Sequence, residues 1–133
     1  MKFEVQFYEK ENGERPAEEF MLSVDDKMRA KLSGLVKVLA EKGNNLREPY
    51  SKSLGDGIFE LRGKVGNNTT RVLYFFYYDG IIVLTNGFVK KSMKVPKKEI
   101  LKAKIYRNDY IERCEKHENI WWLFGRTNEE WRV

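Results

Sequence analysis

Six basic residues accompany the strand-like segments in the second half of the chain: Lys52, Arg62, Arg71, Lys90, Lys91 and Lys94. Tyr74, Tyr77 and Phe88 are interleaved with them. Guanidinium and ammonium groups hold phosphate oxygens and stabilise charge that develops on them, so this set points to phosphodiester chemistry. Arg71 opens the run Val72-Leu73-Tyr74-Phe75-Phe76, and an arginine leading a buried strand is well held as a bidentate clamp. An ion pair with Glu60 is the alternative use of both Arg62 and Arg71. Farther on, five lysines (Lys90, Lys91, Lys94, Lys97 and Lys98) crowd the connection after the apolar stretch Ile81-Ile82-Val83-Leu84. Ammonium groups repel one another, so this density fits either an anionic partner, phosphate above all, or a solvated lysine-rich loop.

Other chemistries lack their residues. One Cys and one His, Cys114 and His117, do not build a zinc site. Their i, i+3 spacing comes without a Gly-rich elbow and reads as a packed thiol beside a surface imidazole. No phosphate-cradling Gly-rich loop precedes a helix, which argues against nucleoside triphosphate chemistry. A single cysteine allows no internal disulfide and suits a reducing compartment. No apolar run approaches a membrane span, and Lys2 and Glu4 stand where a signal peptide would be apolar. A soluble, cytoplasmic protein without a membrane partner is expected.

The chain has 133 residues, enough for one domain with a real core. Aromatics make up 14%, so Phe, Tyr and Trp should fill much of that core, while the net charge of +5 and pI near 9.2 favour a polyanionic partner. The charge is uneven. Residues 1–30 carry five Lys/Arg against eight Asp/Glu, whereas residues 86–107 carry eight Lys/Arg against Glu99 alone.

The elements that must position these groups follow from periodicity. Phe3 to Tyr8 alternates as a strand with one buried face, Phe3, Val5 and Phe7 inward. Pro16 can open a short helix carrying Phe20 and Leu22. Asp25 or Asp26 can cap a longer helix whose Met28, Leu32, Leu35, Val36 and Leu39 share a face and which Gly43 ends. Strands are predicted over Ile58 to Arg62, Arg71 to Tyr78 and Ile81 to Phe88, with Asp79-Gly80 as a two-residue hairpin turn. Pro96 opens a helix to about Cys114. All three tryptophans, Trp121, Trp122 and Trp131, lie in the segment after it.

Taken in order, these blocks resemble a known family. Lys52-Ser53-Leu54, Gly57-Ile58-Phe59-Glu60-Leu61-Arg62, Arg71-Val72-Leu73-Tyr74, Leu84-Thr85-Asn86-Gly87-Phe88-Val89-Lys90-Lys91-Ser92, then Pro96, Glu99-Ile100 and Ala103 look like the RelE/ParE toxin superfamily. The nearest branch is the phage-derived HigB-like group, and the likeness covers roughly residues 1 to 110. It implies an α+β fold: a mostly antiparallel small sheet with an N-terminal helical hairpin on one face and a C-terminal helix. Residues 1–117 would form the toxin domain and 118–133 an aromatic extension of it.

The resemblance also implies a toxin of a type II toxin–antitoxin system that enters the ribosomal A site and cuts mRNA without a metal or other cofactor. The ribose 2′-OH attacks the adjacent phosphate. Such a reaction needs a base, cationic stabilisation of the phosphorane and an acid at the leaving oxygen. Arg71 matches the family's phosphate-binding arginine, and Lys90 and Lys91 match its basic pair, as proton-transfer partner or phosphate anchor. Arg62 closes the Glu-Leu-Arg block. Lys52, Lys94, Lys97 and Lys98 would bind RNA, and Phe88 would stack on a base. Two departures stand out: Glu60 occupies a position where RelE-type enzymes carry lysine, and Ser92-Met93 replaces a frequent tyrosine. Glu60 could be the base if its surroundings raise its pKa, or it could orient Arg62. Crowding of Lys90, Lys91 and Lys94 would favour a neutral, basic lysine. ParE-type inhibition of DNA gyrase and non-catalytic RNA binding are the alternatives. The expected protein partner is a helix-turn-helix antitoxin, with the acidic N-terminal helices and the tail around Trp121, Trp122, Leu123 and Phe124 as candidate contacts.

Overall fold

Short local signals start and stop the elements of the computed structural model, which describes residues 2–124 and side chains as far as Lys116. After strand β1 (Glu4–Phe7), Pro16 occupies the first turn of helix α1 (Pro16–Ser23). The Asp25 carboxylate accepts from the Met28 amide and caps helix α2 (Asp26–Lys42). Gly43 ends α2 at φ 54°, where an added Cβ would meet the Phe3 ring. Strands β2 (Ser51–Gly55), β3 (Ile58–Val65), β4 (Asn68–Tyr77) and β5 (Ile81–Val89) follow. The β4–β5 turn places Asp79 and Gly80 at positive φ, as a type I′ hairpin requires. Helix α3 (Lys97–Phe124) runs past the Cys114 end expected for it. The packing of the tryptophan-bearing tail lies outside the described residues.

The strands form one sheet in the order β1-β5-β4-β3-β2. Every pairing is antiparallel except β1 with β5, so the fold is α+β with a mixed, mostly antiparallel sheet. The α1–α2 hairpin covers one face. Met21, Met28, Leu32, Leu35 and Leu39 pack there on Leu61, Val72, Tyr74, Ile82 and Leu84. The second face carries a separate core of Tyr8, Ile58, Leu73, Phe75, Val83 and Phe88 beneath Ala103 of α3.

Both faces of the β1 end are therefore covered, where alternation had suggested one. Tyr8 is buried, its ring stacked on Tyr106 at 4.7 Å and its hydroxyl donating to Asp109 at 2.6 Å. Tyr110 likewise donates to Gln6 at 2.9 Å. The two hydrogen bonds come from more than a hundred residues along the chain, out of reach of local periodicity. No helix of the described residues is long and apolar enough to cross a membrane.

Two tests follow from this packing. The sheet side of Gly63 is already full, because an added Cβ would lie 2.6 Å from Thr70 Oγ1 and 2.8 Å from Leu32 Cδ2. Leu32 is fully buried and has nowhere to move. Gly63→Ala should destabilise by about 1–3 kcal/mol in urea unfolding, as over-packed cores do. Separately, burial, followed by its bond to Asp109, pushes the Tyr8 phenol up to about 12. A folded-state value above the unfolded one, about 10, means stability that is complete below pH 10 and lost as pH rises through 12. Unfolding midpoints measured across pH 9–12 should fall for the wild type, and less steeply for Tyr8→Phe.

Candidate functional site

Strand alternation and register assemble the site. On β3, Glu60 and Arg62 share a face with Ile58; on β4, Arg71 shares it with Leu73. The antiparallel register sets Arg62 opposite Arg71 and Glu60 opposite Leu73, so Glu60 is a diagonal neighbour of Arg71. The carboxylate uses one oxygen for each arginine. Glu60 Oε1 accepts from Arg71 Nε at 2.9 Å and Oε2 from Arg62 Nε at 3.0 Å. Glu60 is 2% exposed and Arg71 8%. Of the two roles the sequence left open for Glu60, orientation matches these contacts, and it extends from Arg62 to Arg71.

The Arg71 fork is fixed further by Nη1, which donates to the Thr70 carbonyl at 3.0 Å. Among the described residues its Nη2 makes no hydrogen bond. Burial draws the guanidinium below its ordinary value, opposed by the attraction of Glu60 and assisted by repulsion from Arg62. An arginine starts so far above neutrality that it stays charged through such a shift. Arg62 reaches outward, its Nη1 at 3.4 Å from exposed Glu48.

These arginines line a cleft of about 610 Å³ together with Lys31, Lys64, Pro49, Tyr50, Gly66 and Thr69. Among the described residues, four cations and no carboxylate side chain form its wall. A desolvated guanidinium at a cationic concavity suits a phosphate group.

The other expected residues fall at varying distances from it. Lys90 follows the last β5 pair, Thr70–Val89, and lies beside Thr69: its amide donates to the Thr69 carbonyl and Thr69 Oγ1 donates to the Lys90 carbonyl. The Lys90 ammonium is turned to the Met93 carbonyl at 3.0 Å. Lys91 and Lys94 are exposed on the following loop, and Lys97 and Lys98 on the first turn of α3; none lines the cleft. Lys52 stands exposed on edge strand β2, opposite Glu60. Phe88 is corrected as a stacking platform: it is 9% exposed and packed in the core beneath α3, with little ring face left for a base.

Of the lining residues only Arg62 and Arg71 were expected, and Lys31, Tyr50 and Lys64 are the large side chains the sequence reading missed. Lys64 was within reach, two positions after Arg62 on the same strand face. Lys31 and Tyr50 come from α2 and from the loop before β2, and nothing local links them to Arg71.

Residues 19–107 match the family of phage-derived Gp49-like proteins (DUF891). No curated protein matches the chain. Among solved structures, the archaeal RelE–RelB complex from Pyrococcus horikoshii OT3 aligns at 15% identity over 67% of this chain and 96% of that one, with a TM-score of 0.45.

Removing the carboxylate should be the most damaging single change in the cleft. Glu60→Ala leaves two facing guanidinium groups without their shared anion, and breaking a buried pair in this way costs about 3–5 kcal/mol. Arg62→Ala leaves Glu60 paired with Arg71 and should cost clearly less. Chemical denaturation of the two variants beside the wild type measures the difference.

Proposed function

The chain belongs to the phage-derived Gp49-like family (DUF891), and on that premise we propose that it is a RelE-like toxin of a type II toxin–antitoxin pair that cuts mRNA on the ribosome. The observation that carries the reading is the buried Arg71 guanidinium, held by Glu60 in a cleft walled by four cations. In the proposed reaction the ribose 2′-oxygen attacks the adjacent phosphorus and the bond to the 5′-oxygen breaks. A cyclic phosphate and a 5′-hydroxyl result. One proton leaves the 2′-oxygen and one reaches the departing 5′-oxygen.

Charge on the non-bridging oxygens grows as the phosphorane forms. A guanidinium already oriented and largely desolvated meets that charge with little reorganisation, which is where electrostatic catalysis is strongest. Arg62 would hold the same or the neighbouring phosphate. Lys90 and Lys91 would anchor the strand or exchange a proton, and Lys64, within the cleft itself, is a further candidate. Lys52, Lys94, Lys97 and Lys98 would contact the RNA backbone around the cleft. With both Glu60 oxygens engaged by arginines, a lysine suits the base better than the carboxylate does. A helix-turn-helix antitoxin would be the cognate partner, and the cytoplasm the place of action.

Induction of the chain in cells, with mapping of mRNA 5′ ends, tests the reading. Cuts inside translated frames should appear, vanish when translation is blocked, and fall by about 10²-fold or more in Arg71→Ala. Arg71→Lys keeps the charge without the fork and should recover little. Growth arrest with intact mRNA would favour gyrase inhibition instead, and neither effect would favour a binding domain.

A further inference from the structure

Beside the cationic cleft lies a second recess of about 470 Å³, lined by Ala30, Lys31, Gly34, Leu35, Val38 and Tyr50. Lys31 and Tyr50 line both, so the two adjoin. One is cationic; the other is mostly apolar. Tyr50 at their junction is 48% exposed and makes no side-chain hydrogen bond among the described residues. Its backbone is well held, for the Tyr50 carbonyl accepts from the Arg62 amide at 2.8 Å and the Tyr50 amide donates to the Arg47 carbonyl. The ring is thus tied to the strand that carries Arg62, and Arg62 faces Arg71 on the next strand. Two strand spacings separate Tyr50 from Arg71, roughly 10 Å.

Gly34 adds an independent observation. It lies in the middle of the 17-residue helix α2, where glycine costs roughly 1 kcal/mol against alanine. Packing does not demand it: nothing lies within 4 Å of the position a Cβ would take, and no positive φ is involved. What the missing side chain does is keep the recess open.

We propose that this recess is a nucleobase subsite, in which a base of the RNA whose phosphate occupies the Arg62–Arg71 cleft stacks on Tyr50 over Gly34. The proposal rests on the RNA-cleaving reading and names where that RNA places a base. An occupant carrying an apolar, planar group joined to an anion matches both the adjacency of the two recesses and their difference in character. A nucleotide is such a group, and stacking on tyrosine tolerates any base. The stacking role expected of Phe88 thereby moves to the opposite side of the cleft.

The test compares two short single-stranded RNAs, one with all its bases and one abasic at every position, by fluorescence anisotropy. Tyr50→Ala should weaken binding of the base-bearing strand roughly 5- to 100-fold, the size of one base–aromatic stack, and leave the abasic strand unchanged. Tyr50→Phe keeps the ring and should bind as the wild type does. Gly34→Leu fills the recess on the solvent side of a helix; it should weaken the base-bearing strand without lowering the melting temperature. Equal effects on both strands, or none on either, would overturn the subsite. So would Tyr50→Ala weakening only a co-purified antitoxin, which would make the recess a protein-docking groove. If the abasic strand and the base-bearing strand bind equally and Arg71→Ala abolishes both, the phosphate cleft stands and the subsite falls. If neither strand binds, the subsite falls, and the cleavage reading stands or falls by the mRNA cuts in cells.

Discussion

The buried carboxylate of Glu60 is the constraint on which the cleft depends. The β3–β4 register sets two arginines side by side across the sheet, and alone they would repel at short range. Glu60, one step along β3, takes the Nε of each. The triad keeps a net single positive charge, and neither guanidinium's Nη2 makes a hydrogen bond among the described residues. Taking the triad out of water is unfavourable by itself and is offset by near-ideal geometry. A lysine in place of Arg71 would lack the planar fork that lets one edge satisfy the protein while the other meets a ligand.

The same sheet face does two jobs, and helix α3 draws the line between them. Over Leu73, Phe75 and Val83 the helix closes a core that Tyr8, Tyr106 and Tyr110 finish. Among the described residues α3 contributes nothing to the lining of the cleft. A β-bulge adjusts the boundary. Thr85 has no partner in the β4–β5 register, which passes from Leu73–Asn86 to Tyr74–Leu84. The extra residue flips the alternation after it. Asn86 and Phe88 therefore turn toward α3, where Asn86 donates to the carbonyl and carboxylate of Glu99, and Gly87 turns toward α1. An added Cβ at Gly87 would lie 2.3 Å from Phe20 Cδ2, so close approach of α1 to the sheet requires the glycine.

That bulge also marks where the sequence stops being readable. Signals carried by one or two residues translated directly: the Asp25 cap, Pro16 at a helix start, and Asp79-Gly80 at positive φ. The ordered blocks from Lys52 to Ala103 led to the family and to the α+β fold, because order and spacing across those 52 residues constrain far more than any single block. Period-two reasoning failed where a residue is inserted, because alternation does not register the bulge; the stacking role of Phe88 came from the resemblance, and the bulge turns that ring into the core beneath α3. It also failed at Tyr8, whose partners on α3 are distant in sequence. Glu60 was legible as a departure from the family pattern, but its double pairing needed the register. Tyr50, Lys31 and Gly34 meet only in three dimensions.

The lysines that first draw the eye and the arginine at the cleft floor do different physical work. Lys91, Lys94, Lys97 and Lys98 are exposed, hydrated and flexible, so each adds attraction to a polyanion without fixing any atom of it. Their influence is screened over about 8 Å at physiological ionic strength. Lys97 and Lys98 even sit on the first turn of α3, where the helix dipole disfavours cations. Arg71 is the reverse case. Burial and two anchored nitrogens give it one orientation, with limited reach and strong local effect. In such an arrangement surface charge governs how readily a strand arrives, and the held guanidinium governs what happens at one phosphate. Glu60 is compatible with that division, since its carboxylate serves the clamp and leaves ligand contact to the cations around it.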